Sequence, residues 1–114
     1  MNMRKLLNGL TLGQIKELSS LAGSPTDSAL SEMLGESVFI RTVTYYYTGR
    51  VVNVTPQVVT LEKAAWIADT GRFSEAMESG DLSEVEPYPG EVNIMIGSIV
   101  DYIKWPHPLP LKVK

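Results

Sequence analysis

The 114-residue chain reads as an α+β domain that is mainly β: a small, bent antiparallel five-stranded sheet or barrel with two N-terminal helices and one inserted helix. Three observations predict this. Apolar residues recur at helical spacing only as far as Gly35; beyond it, β-branched and aromatic residues gather in short runs split by glycine and proline; and one capped helical stretch interrupts those runs near 70–79. The chain therefore divides into a helical arm (1–36), a barrel-like domain (37–105) and a proline-rich tail (106–114).

Taken in order, Thr11-Leu12-Gly13-Gln14 has capping-box spacing, and Leu12, Ile15, Leu18, Leu21 and Ala22 form one stripe that Gly23 ends. Ser24-Pro25 restarts a helix with Asp27 in its first turn, carrying Ala29, Leu30, Met33 and Leu34 until Gly35. The two helices have the spacing of a helix-turn-helix, but the second holds Asp27 and Glu32 and no Lys or Arg, so it is ill suited to a phosphate backbone. They read instead as an arm that covers the barrel or clasps a neighbour.

Val38 to Tyr46 is the first expected strand, Thr48-Gly49 a turn, and Arg50 to Thr55 the second strand. Proline at 56 places the next turn, because it presets φ and cannot donate within a ladder. Val58 to Leu61 forms the third strand, with a possible extension through Ala64-Ala65-Trp66-Ile67. Asp69-Thr70-Gly71-Arg72-Phe73-Ser74-Glu75-Ala76-Met77 reads as a capped helix stopped at Gly80. An acidic loop follows, ending in Pro87-Tyr88-Pro89-Gly90. Glu91 to Ile96 and Ser98 to Trp105 are the last two strands, and alternate prolines from 106 keep the tail extended.

Ten Lys and Arg against 13 Asp and Glu make the chain mildly acidic, which argues against sequence-independent capture of duplex DNA. With no cysteine there is no disulfide framework and no Cys-type zinc site. The N-terminal MNMRKLLNGL has too short an apolar stretch for a signal peptide, and no run approaches a membrane span. The expected location is the cytoplasm.

Catalysis finds little support. His107 is the sole histidine and stands between two prolines, so one subunit cannot build a two-histidine metal site. Glu75, Glu78, Asp81, Glu84 and Glu86 crowd one helix and loop, and read as solvated surface. The glycines form no Walker or dinucleotide fingerprint. No catalytic residue, metal ligand or cofactor is expected, and the chain is read as a non-enzyme.

Binding is better supplied. Arg41, Tyr45 and Tyr47 share parity in an extended strand, so they would line one surface, with Arg50 across the turn. Flat rings for stacking beside a planar, bidentate cation suit a nucleotide. Trp66, Arg72 and Phe73 could approach from the insertion. At the helix start, Thr70, Gly71 and Arg72 could meet a phosphate, but capping by Asp69 or Thr70 is the favoured reading, because Asp69 would repel an anion. Rings in strands also serve plain packing or subunit interfaces, and that alternative stays open.

Two resemblances sharpen these expectations. Residues 49–64, GRVVNVTPQVVTLEKA, and 93–103, NIMIGSIVDYI, resemble the two motifs of Sm and Sm-like proteins over about a quarter of the chain. That resemblance implies a small barrel and an RNA-binding ring, but positions that hold RNA bases in those motifs carry Thr55, Val59, Ile96 and Ser98 here. The stretches IRTVTYYYTGRVV, LEKAAWIADTGRFSEAM and IVDYIKWPHPLP together resemble the Thoeris anti-defence sponges of phages and prophages. This second resemblance implies a homo-oligomer, dimer or hexamer, that sequesters a cyclic nucleotide immune signal without chemistry. The third alternative is a structural or protein-interaction module.

Overall fold

The computed structural model describes residues 29–114. The first expected helix lies outside them. Of the second, residues 29–35 fall inside, where Ala29–Met33 is a short 3-10 helix and Leu34 and Gly35 form a turn.

Six strands, not five, make one antiparallel sheet: β1 (Ser37–Thr42), β2 (Tyr46–Val54), β3 (Val58–Asp69), β4 (Glu84–Pro87), β5 (Val92–Met95) and β6 (Ile99–Lys104). The order is β4-β3-β2-β1-β6, with β5 also on β3. The inserted helix is found as α1 (Phe73–Ser79), closed by Gly80 in the left-handed conformation. The additional strand is β4, within the stretch expected to be an acidic loop.

No closed barrel forms. β5 and β6 are joined by the short 3-10 turn Ile96–Ser98, yet they pair with β3 and β1 and not with each other. The sheet therefore keeps two outer margins. β3 is long enough to carry two neighbours on one side: its first half pairs with β5 (Val58↔Met95 to Leu61↔Val92) and its second with β4 (Ala65↔Pro87 to Asp69↔Glu84). Between them Lys63 takes φ 49°, a conformation uncommon outside glycine, and the β2–β3 register shifts there.

The β1–β2 turn is displaced from its expected place. It lies at Thr42–Tyr45, where the Thr42 amide donates to Tyr45 O (2.8 Å), the Thr42 hydroxyl also donates to Tyr45 O (2.7 Å), and the Tyr45 amide donates to Thr42 Oγ1 (2.9 Å). A threonine side chain closes this hairpin by bonding its own neighbours' backbone. Gly49, expected to turn the chain, sits inside β2 opposite the core: a Cβ there would stand 2.9 Å from Leu61 Cβ and 3.2 Å from Glu62 O. Glycine is present for close approach rather than for turning.

Alternation through the strands builds a core on each face of the sheet. Val38, Ile40, Val51, Val59, Leu61, Ala64 and Ile94 pack on one, with Tyr47 at its margin. On the other, Phe39, Ala65, Ile67 and Val85 meet Ala76 of α1, Leu82 and Trp105. The tail is extended as expected, but it packs against the body: Lys114 and Val85 exchange backbone hydrogen bonds (3.0 and 3.1 Å), and one nitrogen of the His107 ring, Nε2, donates to Met77 O at 2.8 Å. That donation requires the Nε2-protonated ring, since a carbonyl can only accept.

Candidate functional site

Moving the turn by a few residues redistributes the residues expected to bind. Arg41 is on β1, Tyr45 in the turn and Tyr47 on β2. In antiparallel pairing, opposed side chains share a face. Arg41 opposes Tyr46 and Asp101, and so lies on the Phe39 face. Tyr47 opposes Ile40 and Trp66 and lies on the other. Arg50, two residues beyond Thr48, opposes Glu62 and joins Arg41's side. The single surface of Arg41, Tyr45 and Tyr47 is thus replaced by two sites, back to back.

On the Phe39 face, Phe39 sits among three rings, with centroids 5.7 Å from Tyr46, 6.1 Å from Phe73 and 5.5 Å from Trp105. Phe73, the first residue of α1, is 43% exposed, and the Arg41 guanidinium lies 5.5 Å from its centroid. Such a contact is a weak attraction between the guanidinium and the ring face. Arg72 immediately precedes Phe73, is exposed, and makes no ion pair among the described residues.

The other two arginines among the described residues are engaged. Arg41 pairs bidentately with Asp101, its Nε 2.8 Å from Oδ1, and Arg50 pairs with Glu62. The hydrogen bond from Arg41 holds the Asp101 carboxyl below its ordinary range, outweighing a small opposing effect of burial. The contribution of this pair is therefore present above the unfolded value of about 3.9 and fades as pH falls through the lower folded value. Replacing Arg41 by methionine should return the Asp101 midpoint, followed by carboxyl-carbon NMR, to the ordinary range. An unmoved midpoint would show that the pair does not persist in solution.

Thr70 is buried, and its hydroxyl donates to Gly71 O (2.8 Å). The Gly71 amide donates to Asp69 Oδ1 (2.8 Å). Asp69 and Thr70 thus shape the turn before the helix rather than capping it; the N-cap is Arg72, without a side-chain cap bond. Neither group is left for a phosphate at that point.

On the opposite face, Tyr45 meets Trp66 edge-on at 5.3 Å, and Tyr47 stacks against Tyr88 at 6.3 Å with an interplanar angle of 29°. These four rings line a cavity of about 240 Å³. Burial, and then the neighbouring Tyr88 hydroxyl, push the Tyr47 phenol above its ordinary range, so it is neutral at physiological pH. Tyr88 was not among the expected site residues. Its only signal was an aromatic residue held between Pro87 and Pro89; its position comes from its amide donating to Ala64 O at 2.8 Å, which ties the end of β4 to β3.

No family model matches the chain, and no curated protein matches it either.

Proposed function

We propose that this chain is a non-catalytic binding protein that sequesters a cyclic nucleotide-type signal between copies of itself, in the manner of phage anti-defence sponges. The observation that carries the reading is the partly open ring of Phe73 with Arg41 over it and Arg72 beside it. A base stacked on such a ring contributes about 1–3 kcal/mol. Arg72 supplies charge-assisted bonds to phosphate, and Arg41, held by Asp101, orients the ring.

Assembly has its own support. Among the described residues β6 is an outer strand with Val100 and Ile103 exposed, a margin and apolar surface that a second copy would cover. Such a partner would also enclose the Phe73 site, whose Arg41 is tied to Asp101 of that strand. His107 is occupied with Met77 O and the Trp105 ring, which favours binding over catalysis.

Calorimetry against cyclic dinucleotides, cyclic trinucleotides and cyclic ADP-ribose isomers tests the reading. One of these should bind, and Phe73→Ala should weaken it about tenfold or more, in line with the loss of one stacked base. Silence across the panel would reject it. An Sm-like RNA ring is the second reading, favoured by the strand order β6-β1-β2-β3-β5 and the 3-10 turn joining the two end strands. It predicts gel shifts of U-rich or A-rich single strands that weaken between low and high salt.

A further inference from the structure

The cavity between Tyr45, Tyr47, Trp66 and Tyr88 faces away from Arg41 and Arg50, so it is not part of a phosphate site. We propose that it is a separate binding site for an organic cation of the methylated-ammonium class. This goes beyond the nucleotide reading and does not depend on it.

Electrostatics comes first. All four lining residues are aromatic and none bears a positive charge. Ring faces carry the negative end of the aromatic quadrupole, so a space walled by aromatic side chains alone favours a cation that has little hydration to lose. Glu86 stands directly opposite Trp66 in the β3–β4 ladder, placing a carboxylate on the same face. An anionic ligand would meet both features unfavourably.

Size comes second. Sites for drug-sized molecules run to roughly 300–1,000 Å³. At about 240 Å³ the cavity suits a head group rather than a whole nucleotide. Nor do the rings serve only as filling, because Tyr45 is 49% exposed and Tyr88 37%.

The test uses choline and its neutral isostere 3,3-dimethyl-1-butanol, which replaces the charged nitrogen by carbon, with adenosine monophosphate as the third probe. Binding is followed by calorimetry and by the Trp66 indole NMR signal. Choline should bind at least tenfold more tightly than the alcohol, and Tyr88→Ala and Tyr45→Ala should each weaken it several-fold. Both substitutions are at partly exposed rings, and a melting curve shows that each variant is folded. Equal binding of choline and the alcohol would overturn the proposal in favour of a merely apolar pocket. Preference for the nucleotide, or no binding of choline, would overturn it as well. Cyclic-nucleotide binding is scored separately on Phe73→Ala, so either proposal can fail without the other.

Discussion

Replacing Phe39 by alanine is expected to lower the unfolding free energy by about 3–5 kcal/mol, the range for deleting a buried aromatic side chain. Phe39 is 1% exposed and lies among Tyr46, Phe73 and Trp105. Its removal would leave a cavity that three elements, β2, α1 and the start of the tail, would all have to collapse into. Domains of this size are stable by about 5–15 kcal/mol, so the variant would stand near the folding threshold. Urea unfolding measures the effect, with Phe39→Leu as a milder control. A loss below about 1 kcal/mol would mean that the ring cluster is not packed as described. Because Phe73 rests against Phe39, the same variant, while still folded, should also weaken the nucleotide binding proposed above if that proposal holds.

Gly80→Ala should cost about 2–3 kcal/mol through two separable causes. The residue has φ 78°, which a side chain adopts at a cost of roughly 1–2 kcal/mol. An added Cβ would also stand 2.5 Å from His107 Cγ, so the imidazole would have to leave Met77 O and its edge contact with Trp105 at 4.8 Å. A lost hydrogen bond adds about 1 kcal/mol. His107 Cβ itself would stand 2.6 Å from the added Cβ, so the double variant with His107→Gly is the one that removes the obstruction and leaves the backbone cost at residue 80, and that cycle should show strong coupling. Additive losses would mean that the ring does not sit over the glycine.

Much of this architecture was legible in residues 37–105. The inserted helix and its stop at Gly80 followed from local chemistry, although it begins at Phe73 and not at Asp69, and the third strand at Val58 to Leu61 followed from β-branched content, with its possible extension realised as one strand to Asp69. The first hairpin was misplaced because Thr48-Gly49 has the composition of a turn, whereas a contact with Leu61 twelve residues away decides what Gly49 does. β4 was missed because Glu84-Val85-Glu86-Pro87 has a single inward apolar residue, too short a pattern to distinguish from a loop.

The candidate site was legible in composition and not in arrangement. Tyr45, Tyr47 and Trp66 come together, as do Arg41, Arg72 and Phe73, but on opposite sides of the sheet. A shift of turn position inverted the parity argument, since each residue of displacement reverses a strand's faces. The acids that occupy Arg41 and Arg50 lie 60 and 12 residues away, separations at which no local pattern signals a pair. Tyr88 joined the cavity for the same reason, through a long-range ladder.

The kink at Lys63 gives the aromatic cavity some mechanical independence. Tyr88 follows the strand attached beyond the kink, whereas Ile94 belongs to the one attached before it. Were a guest to enter between Tyr47 and Tyr88, spreading those rings would fall first on the ribbon that carries Tyr88, whose attachment to β3 is separate from that of Ile94. Adjustable width in one part of a stiff framework would let a single cavity grip heads of slightly different girth.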